Sequence, residues 1–526
     1  MANHRPTFYV TTPIYYVNDA PHIGHAYTTL ACDVLARFKR LDGFDVLFLT
    51  GTDEHGQKVE KSALNAGVAP QSYCDSVSKL FRDLTGALDV SNDDFIRTTE
   101  ARHVRASQAL WRAIAARQSP AGRPNIYLGK YAGWYAIRDE AFYDEGELTL
   151  GADGRRRAPS GAEVEWVEEP SYFFRLSDWQ QVLLDFYEKN PEAVLPATRR
   201  NEVTSFVRQG LQDLSISRTT FTWGIPVPDA PGHVIYVWLD ALTNYITAAG
   251  YPDVDGGFAR RWPADLHMVG KDILRFHAVY WPAFLMAAGL EPAKRVFAHG
   301  WWTNEGQKIS KSLGNVIDPY QLIEQYGLDP VRYFLMREVP FGQDGDLSRA
   351  AMVRRRNVDL ANDLGNLAQR VLGFIAKNCG AAIPKRQPFT EADQALTAAA
   401  ASLLGRVRRE IDQQSFHRAL EVVWQVVAEA NRYVDAQAPW ALRKTDPVRM
   451  EAVLYVLCDL LRRLGIVLQP FMPQAMELWL DQLAVERDAR DFGAYDRVLV
   501  SGINLPTPKP IFPRLVEDAL QAKAPS

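Results

Sequence analysis

Residues 7–25 read Thr-Phe-Tyr-Val-Thr-Thr-Pro-Ile-Tyr-Tyr-Val-Asn-Asp-Ala-Pro-His-Ile-Gly-His, an apolar run ending in a loop with two histidines around one glycine. The β-branched and aromatic residues of 7–12 suit a buried strand. Over 26–39, Leu30, Val34, Leu35 and Phe38 recur near helical spacing, so His22 and His25 fall at a strand-to-helix turn. The first backbone N–H groups of such a helix lack intrahelical partners and favour an anion, and Gly24 leaves the approach open. Two imidazoles beside that end can donate hydrogen bonds to phosphate oxygens. A lone histidine more often packs or caps a turn; the pair in this setting points to a binding site.

Residues 44–50 form a second apolar run that ends in Gly51-Thr52-Asp53-Glu54-His55-Gly56. Strand, helix and strand in this order imply a parallel sheet, whose ligands bind beyond the carboxyl ends of the strands. Asp53 can hold a cationic amine there or cap a helix, and position alone does not choose. Helical patterns over 71–88 and 101–117 flank a short strand at 95–98. After a Pro/Gly linker at 119–124, residues 126–174 turn rich in Tyr, Trp, Gly and acidic residues, which reads as an insertion; helices are expected over 178–190 and 201–209. The α/β alternation resumes with a strand at 234–238, a helix from Ala241, a strand at 266–269 ending in Gly270-Lys271-Asp272, a helix through Met286 and a strand at 296–299. The next loop holds Gly306-Gln307-Lys308-Ile309-Ser310-Lys311-Ser312, two lysines three apart with hydroxyls alongside, a composition suited to triphosphate. From Asp318 the chain is helical, with long amphipathic patterns over 354–377, 392–413, 416–436 and 448–467 that predict a bundle. The tail from Pro506 carries no legible chemistry.

The 526 residues, 47% hydrophobic and 11% aromatic, can fill several cores. No apolar stretch reaches the roughly 20 residues of a membrane helix, and the N-terminus resembles neither a secretory signal nor a presequence, so a cytoplasmic location without membrane contact is expected. Cys32, Cys74, Cys379 and Cys458 form no Cys-x-x-Cys pair, which argues against disulfides and cysteine zinc sites. With a net charge of −4, a nucleic-acid partner must meet local basic surface. Candidates are Arg354 to Arg356, Arg406 to Arg409 and Arg462-Arg463, each explained as readily by helix propensity. No Gly-x-x-x-x-Gly-Lys-Ser/Thr loop is present, so a nucleotide must be held by another device.

Pro21-His22-Ile23-Gly24-His25 with Lys308-Ile309-Ser310-Lys311-Ser312 resembles the paired signature of class I aminoacyl-tRNA synthetases. Residues 10–25, 48–56, 221–228, 236–241, 270–282 and 431–440 are similar, more closely, to the methionyl family of that class. Ile309 stands where that family usually has Met. Where many members carry zinc knuckles, no cysteine lies between Cys74 and Cys379, so no structural zinc is expected, and apolar packing around Trp134, Tyr135, Phe142 and Tyr143 should replace it. The resemblance implies an α/β fold: a Rossmann-like parallel-sheet catalytic domain (1–118 and 233–300) split by a connective insertion (119–232), then a lysine-signature and stem-contact linker (301–350) and an all-α anticodon-binding bundle (351–526). It implies a ligase that activates methionine with ATP to methionyl adenylate plus pyrophosphate and passes the methionyl group to the 3′ terminal adenosine of tRNA(Met), initiator tRNA included, with Mg²⁺ accompanying ATP. His22, His25, Lys308 and Lys311 would be catalytic. ATP would be held by these four with Gly24, Gly270, Asp272 and Ser310. Methionine would be held by Ile14, Tyr16, Asp53, Trp238, Ala241, Tyr245, Ile273 and His277, and the anticodon by Asn366, Arg370 and Trp440. No further C-terminal dimerisation segment is recognised, which favours a monomer. Synthetases for leucine, isoleucine or valine share both signatures but carry a longer insertion. A simple nucleotidyltransferase would not need so large a helical part, and an inactive RNA-binding relative would be expected to lose signature residues.

Overall fold

The strand Thr7–Thr11 occupies an inner position of a seven-stranded sheet in a computed structural model of the chain. The structure describes residues 5–18, 20–139, 141–151, 153–309 and 315–516, so Ser310 and Lys311 lie outside the described residues. The chain divides into two compact units, one of residues 7–21 and 47–299, the other of residues 1–6, 22–46 and 300–526.

In the first unit the sheet order is Val194–Leu195, Val296–His299, Leu266–Gly270, Thr7–Thr11, Asp45–Asp53 and Tyr15–Tyr16, with Asp94–Arg97 also paired to Asp45–Asp53. The pairing is parallel where Val10 faces Leu266, His267 faces Val296 and Leu49 faces Asp94. A parallel sheet covered on both faces needs continuous apolar runs, and Tyr9, Val10, Phe48 and Leu49 are fully buried. The insertion forms a four-stranded antiparallel sheet, Leu214–Ser215, Glu165–Phe174, Ile126–Ala136 and Ala141–Tyr143. Its knuckle is held by more than apolar packing. Ala136, Ala158 and Ala162 form a small core with Tyr143 and Val164 against it. Around this core Asp139 accepts from Tyr143 Oη at 3.0 Å and from Ser160, and Arg138 donates to the Ser160 carbonyl at 2.6 Å. Trp134 meets Trp166 edge to face at 5.3 Å, under the Arg156 guanidinium.

Two expectations are corrected. The strand expected over 234–238 is only Val234–Ile235, an antiparallel ribbon with Ser217–Arg218, and the helix already starts at Val237. Trp238, Ala241, Leu242 and Tyr245 continue one helical apolar period, which carries the helix back to Val237. The expected helix over 354–377 is three pieces: Arg349–Arg354, a π-helical Arg355–Gly365, and Asn366–Asn378. The wide turn suits Gly365, where a Cβ would lie 2.9 Å from the Leu360 carbonyl oxygen.

In the second unit the helices Glu391–Asp412, Phe416–Gln437 and Pro447–Leu468 bury Leu403, Val423, Leu457 and Leu461. The helix Ile23–Leu41 belongs here. Its Asp33 and Arg332 are both fully buried, 2.6 Å apart, and Arg332 also donates to the carbonyls of Pro470 and Phe471. At its C-terminal end Asp42 accepts from Arg408. The basic clusters largely serve such internal pairing. Arg462 and Arg463 are buried on Asp459, Arg355 pairs with Glu338 and Asp359, and Arg356 donates to the Tyr326 carbonyl, so 462–463 is neither the candidate basic surface nor a solvated helix face. Among the described residues no helix is long and apolar enough to cross a membrane.

Candidate active site

His22 is the N-cap of the helix Ile23–Leu41, and its pairing with His25 is reciprocal. Gly24 N–H donates to His22 Nδ1 at 3.1 Å, and His22 N–H donates to His25 Nδ1 at 3.0 Å, a capping box built from two imidazoles. A backbone N–H can only donate, so each Nδ1 is bare and each ring carries its proton on Nε2. Burial, then the neighbouring His22, holds His25 well below the usual histidine range. The remaining N–H groups of the turn are also committed: Ile23 to the Ile317 carbonyl at 3.2 Å, His25 and Ala26 to the His22 carbonyl. Sequence reading assigned anion binding to those backbone groups. With those groups committed, the expectation that the two imidazoles donate to phosphate oxygens falls on their Nε2–H groups. Gly24 is needed for a further reason, since a Cβ there would lie 2.9 Å from His22 Cε1.

Lys308 belongs to the same unit. It ends the strand Gln307–Lys308, which hairpins onto Trp302–Asn304. The turn residues Glu305 and Gly306 both have positive φ, 49° and 77°, the pairing that matches the natural twist of a two-residue hairpin. The hairpin is anchored on Gly345–Leu347: Gly306 N–H and Thr303 Oγ1 both donate to Asp346, and Arg349 N–H donates to Glu305. Trp302 meets Tyr27 edge to face at 5.4 Å, two residues beyond His25. The Tyr27–Trp302 contact and the Ile23–Ile317 bond thus tie the histidine turn to residues on either side of the lysine segment, and the exposed Lys308 ends a paired strand.

In the other unit, Ile14, Tyr16, Trp238 and Ile273 are partly exposed at the edge of the main apolar core, with Tyr245 inside it. Tyr245 Oη lies 2.7 Å from His277 Nε2, and His277 Nδ1 lies 3.0 Å from the Ile273 carbonyl. A carbonyl only accepts, so the imidazole proton sits on Nδ1 and Tyr245 donates to Nε2. Burial brings His277 down to about 4, against small opposing effects of the Ile273 carbonyl and Asp272. The polar contact that sequence reading offered a thioether from either residue is therefore already committed within the pair. Trp238 stacks on Phe276 at 3.6 Å and meets His277 edge-on at 6.5 Å. Ala241 is buried one turn from Tyr245. Asp53 closes the strand Asp45–Asp53 opposite Tyr16 and is 7% exposed. The next helix, Gln57–Asn65, is capped by Gly56, so Asp53 is not a helix cap. Gly270 ends its strand, and a Cβ there would fall 2.5 Å from Asp272 Oδ1, a space only glycine leaves to that carboxylate.

Asn366 and Arg370 sit one turn apart on the helix Asn366–Asn378. Arg370 lies 5.4 Å over the Trp440 ring and pairs with Asp435. Trp440 is 48% exposed, which rules out a role as a buried packing residue. Asn366 lines an open cleft of about 400 Å³ with Asn362, Gln369, Phe512 and Arg514, so the tail in which sequence reading saw no chemistry walls this face.

Two family models together match most of the chain, and their boundary, between 372 and 383, does not coincide with that of the two compact units. Residues 8–152 and 154–372 match the family model of class I tRNA synthetases (M), and residues 383–524 match the anticodon-binding domain of methionyl tRNA ligase. The chain belongs to the methionyl family of class I tRNA synthetases. Among similar family members, the methionine--tRNA ligases of Mesorhizobium japonicum and Brucella suis are each 58% identical, over 98% of this chain and 98% and 99% of theirs. The Mycobacterium tuberculosis methionyl-tRNA synthetase, solved in complex with methionyl-adenylate, superposes with a TM-score of 0.93 at 52% identity, covering 97% of this chain and all of that one. Its ligand-free form gives 0.89 at 49%, over 98% and 99%. In this member of the family, sequence reading overlooked the buried set His55, His103, Asp240 and His267. His55 stands inside a stretch singled out above, but Asp240, which it bonds, is 185 residues away, and His103 meets the same carboxylate from 137 residues away; spacing gives no signal for either.

Proposed function

We propose that the chain condenses methionine with ATP to methionyl adenylate and pyrophosphate, then transfers the methionyl group to the 3′ terminal adenosine of tRNA(Met), initiator tRNA included. The observation that carries this reading is the near full-length match, which runs through both the catalytic and the anticodon-binding parts. Attack of the methionine carboxylate on the α-phosphorus builds negative charge on the phosphoryl oxygens, and preorganised donors aimed there supply much of the catalysis. In this reading the Nε2–H groups of His22 and His25 are those donors, and Lys308, Ser310 and Lys311 take the outgoing phosphates. Gly24 leaves room for the His22 ring, while Gly270 and Asp272 contact the nucleoside end. Asp53 pairs with the methionine ammonium, and Ile14, Tyr16, Trp238, Ala241 and Ile273 form the sleeve around its side chain. A thioether asks for no strong donor, so it suits a sleeve whose Tyr245 and His277 protons are already committed. Packing alone discriminates by only about 1 to 3 kcal/mol per methylene, so close analogues should compete. Among the described residues no group of three or more His, Cys, Asp or Glu is placed to hold a metal. Mg²⁺ enters the reading only as the ion that ATP brings on its own phosphates.

Asn366, Arg370 and the exposed Trp440 read the anticodon, because loop bases can stack on a ring or guanidinium and be hydrogen-bonded at their edges. The reading also takes the chain as a cytoplasmic monomer. Pyrophosphate exchange into ATP should depend on methionine; exchange with leucine or valine in its place would refute the assignment. Trp440→Ala should slow tRNA charging by about tenfold or more while leaving exchange nearly intact, since stacking on one base is worth about 1 to 3 kcal/mol. Equal loss in both assays would make Trp440 a folding residue.

A further inference from the structure

Asp240 is fully buried on the helix Val237–Ala249. Its oxygens are divided between two imidazoles: Oδ2 accepts from His55 Nδ1 at 2.7 Å and Oδ1 from His103 Nε2 at 2.7 Å. Burial alone would raise this carboxyl, but the two histidines outweigh it and hold Asp240 below the usual range, so the ionised form is the stable one. The three residues come from three elements. His103 lies on the helix Ala101–Ala115, where its Nδ1 also meets Thr247 Oγ1 at 3.2 Å, and His55 lies in the turn after the strand Asp45–Asp53. That turn carries Asp53 two residues before His55. The helix of Asp240 carries Trp238, Ala241 and Tyr245. Glu54, between Asp53 and His55, is tied elsewhere, to Arg97 and Thr99. The His55–Asp240 bond is thus a direct strut between the turn expected to hold the amino acid's ammonium and the helix expected to hold its side chain.

We infer that Asp240, acting through His55 and His103, is a positioning residue that fixes the spacing between Asp53 and the sleeve of Trp238, Ala241 and Tyr245, and so governs affinity for the amino acid. The inference rests on the methionine reading given above. A carboxylate gripped from both sides cannot swing, and a displacement of about 1 Å at a binding group can cost as much as 10²-fold. Asp240 touches neither reactant in this account, so its removal acts on KM for methionine ahead of kcat.

The full-length protein and its His55→Gln and Asp240→Asn variants are compared in methionine-dependent pyrophosphate exchange, with 4-(methylthio)butanoate, which is methionine without its amine, as competitor. Scanning calorimetry verifies that each variant is folded, and His55→Gln serves if Asp240→Asn is not. The expected result is a rise of about tenfold or more in KM for methionine, with kcat and KM for ATP within about threefold. Ki of the amine-free acid should stay within about twofold, because only the distance to Asp53 has changed. An equal rise in Ki and KM, an unchanged KM, or a fall in kcat alone overturns the inference. Absence of methionine-dependent exchange in the unsubstituted protein would instead refute the methionine reading itself.

Discussion

Five histidines are held below the usual range, His25, His233, His267, His277 and His417, and in each burial is the first cause. For His277 the sign follows directly. Above the ordinary imidazole pKa of about 6.5 both folded and unfolded chains leave it neutral, and it contributes nothing. Below that value the unfolded chain takes up a proton that the folded ring, at about 4, refuses, so stability falls as pH falls through this window. His277 alone accounts for a loss on the order of 3 kcal/mol by the lower end of the window. Urea unfolding at about pH 7 and about pH 5 should show the drop, and a His277→Gln variant should show a shallower one. The commitment of both Nδ1 atoms in the His22–His25 cap was beyond the reach of sequence. The residue types were legible, but which nitrogen carries the proton depends on backbone groups that meet only in the folded turn.

Elements were most legible where periodicity is long. The bundle helices expected over 392–413, 416–436 and 448–467 appear as Glu391–Asp412, Phe416–Gln437 and Pro447–Leu468. Short elements escaped. The strand Val194–Leu195 and the helices Gln57–Asn65, Pro439–Thr445 and Pro473–Gln482 owe their form to tertiary pairing or to caps that a window of a few residues does not register. The hairpin beneath Lys308 is another such case, and it carries a prediction. Gly306 adopts φ 77°, where a β-branched residue costs roughly 1 to 2 kcal/mol. Gly306→Val should therefore lower the kcat of exchange severalfold by distorting the ribbon that presents Lys308, with methionine KM unchanged. Steady-state kinetics with each substrate varied in turn checks this.

At the scale of the whole molecule, the sequence made the overall plan readable because a parallel-sheet unit and a bundle have different apolar periods. It did not reveal that the helix after the first strand groups with the C-terminal part of the chain rather than with residues 47–299. Residues 22–46 are tied there by Asp33 to Arg332 and by Asp42 to Arg408, across about 300 and 370 positions. No local pattern encodes such a partnership. Its energetic weight is testable: Asp33→Ala removes the carboxylate 2.6 Å from a fully buried guanidinium, and should destabilise the unit by about 3 to 5 kcal/mol. Chemical unfolding followed by far-UV circular dichroism would measure it. Loss of less than about 1 kcal/mol would mean that the other contacts of Arg332, the carbonyls of Pro470 and Phe471 among them, suffice.

The paired imidazole cap also sets how the protein should respond to ionic strength. In the proposed reading, two N–H donors on uncharged rings would hold an oxyanion without contributing charge of their own, whereas a lysine ammonium works largely through a field that salt screens over about 8 to 10 Å. The dependence of ATP affinity on salt should then belong to the lysine side of the site. Lys308→Ala should flatten the slope of log affinity against log salt, and His22→Ala should lower the whole line while leaving its slope unchanged.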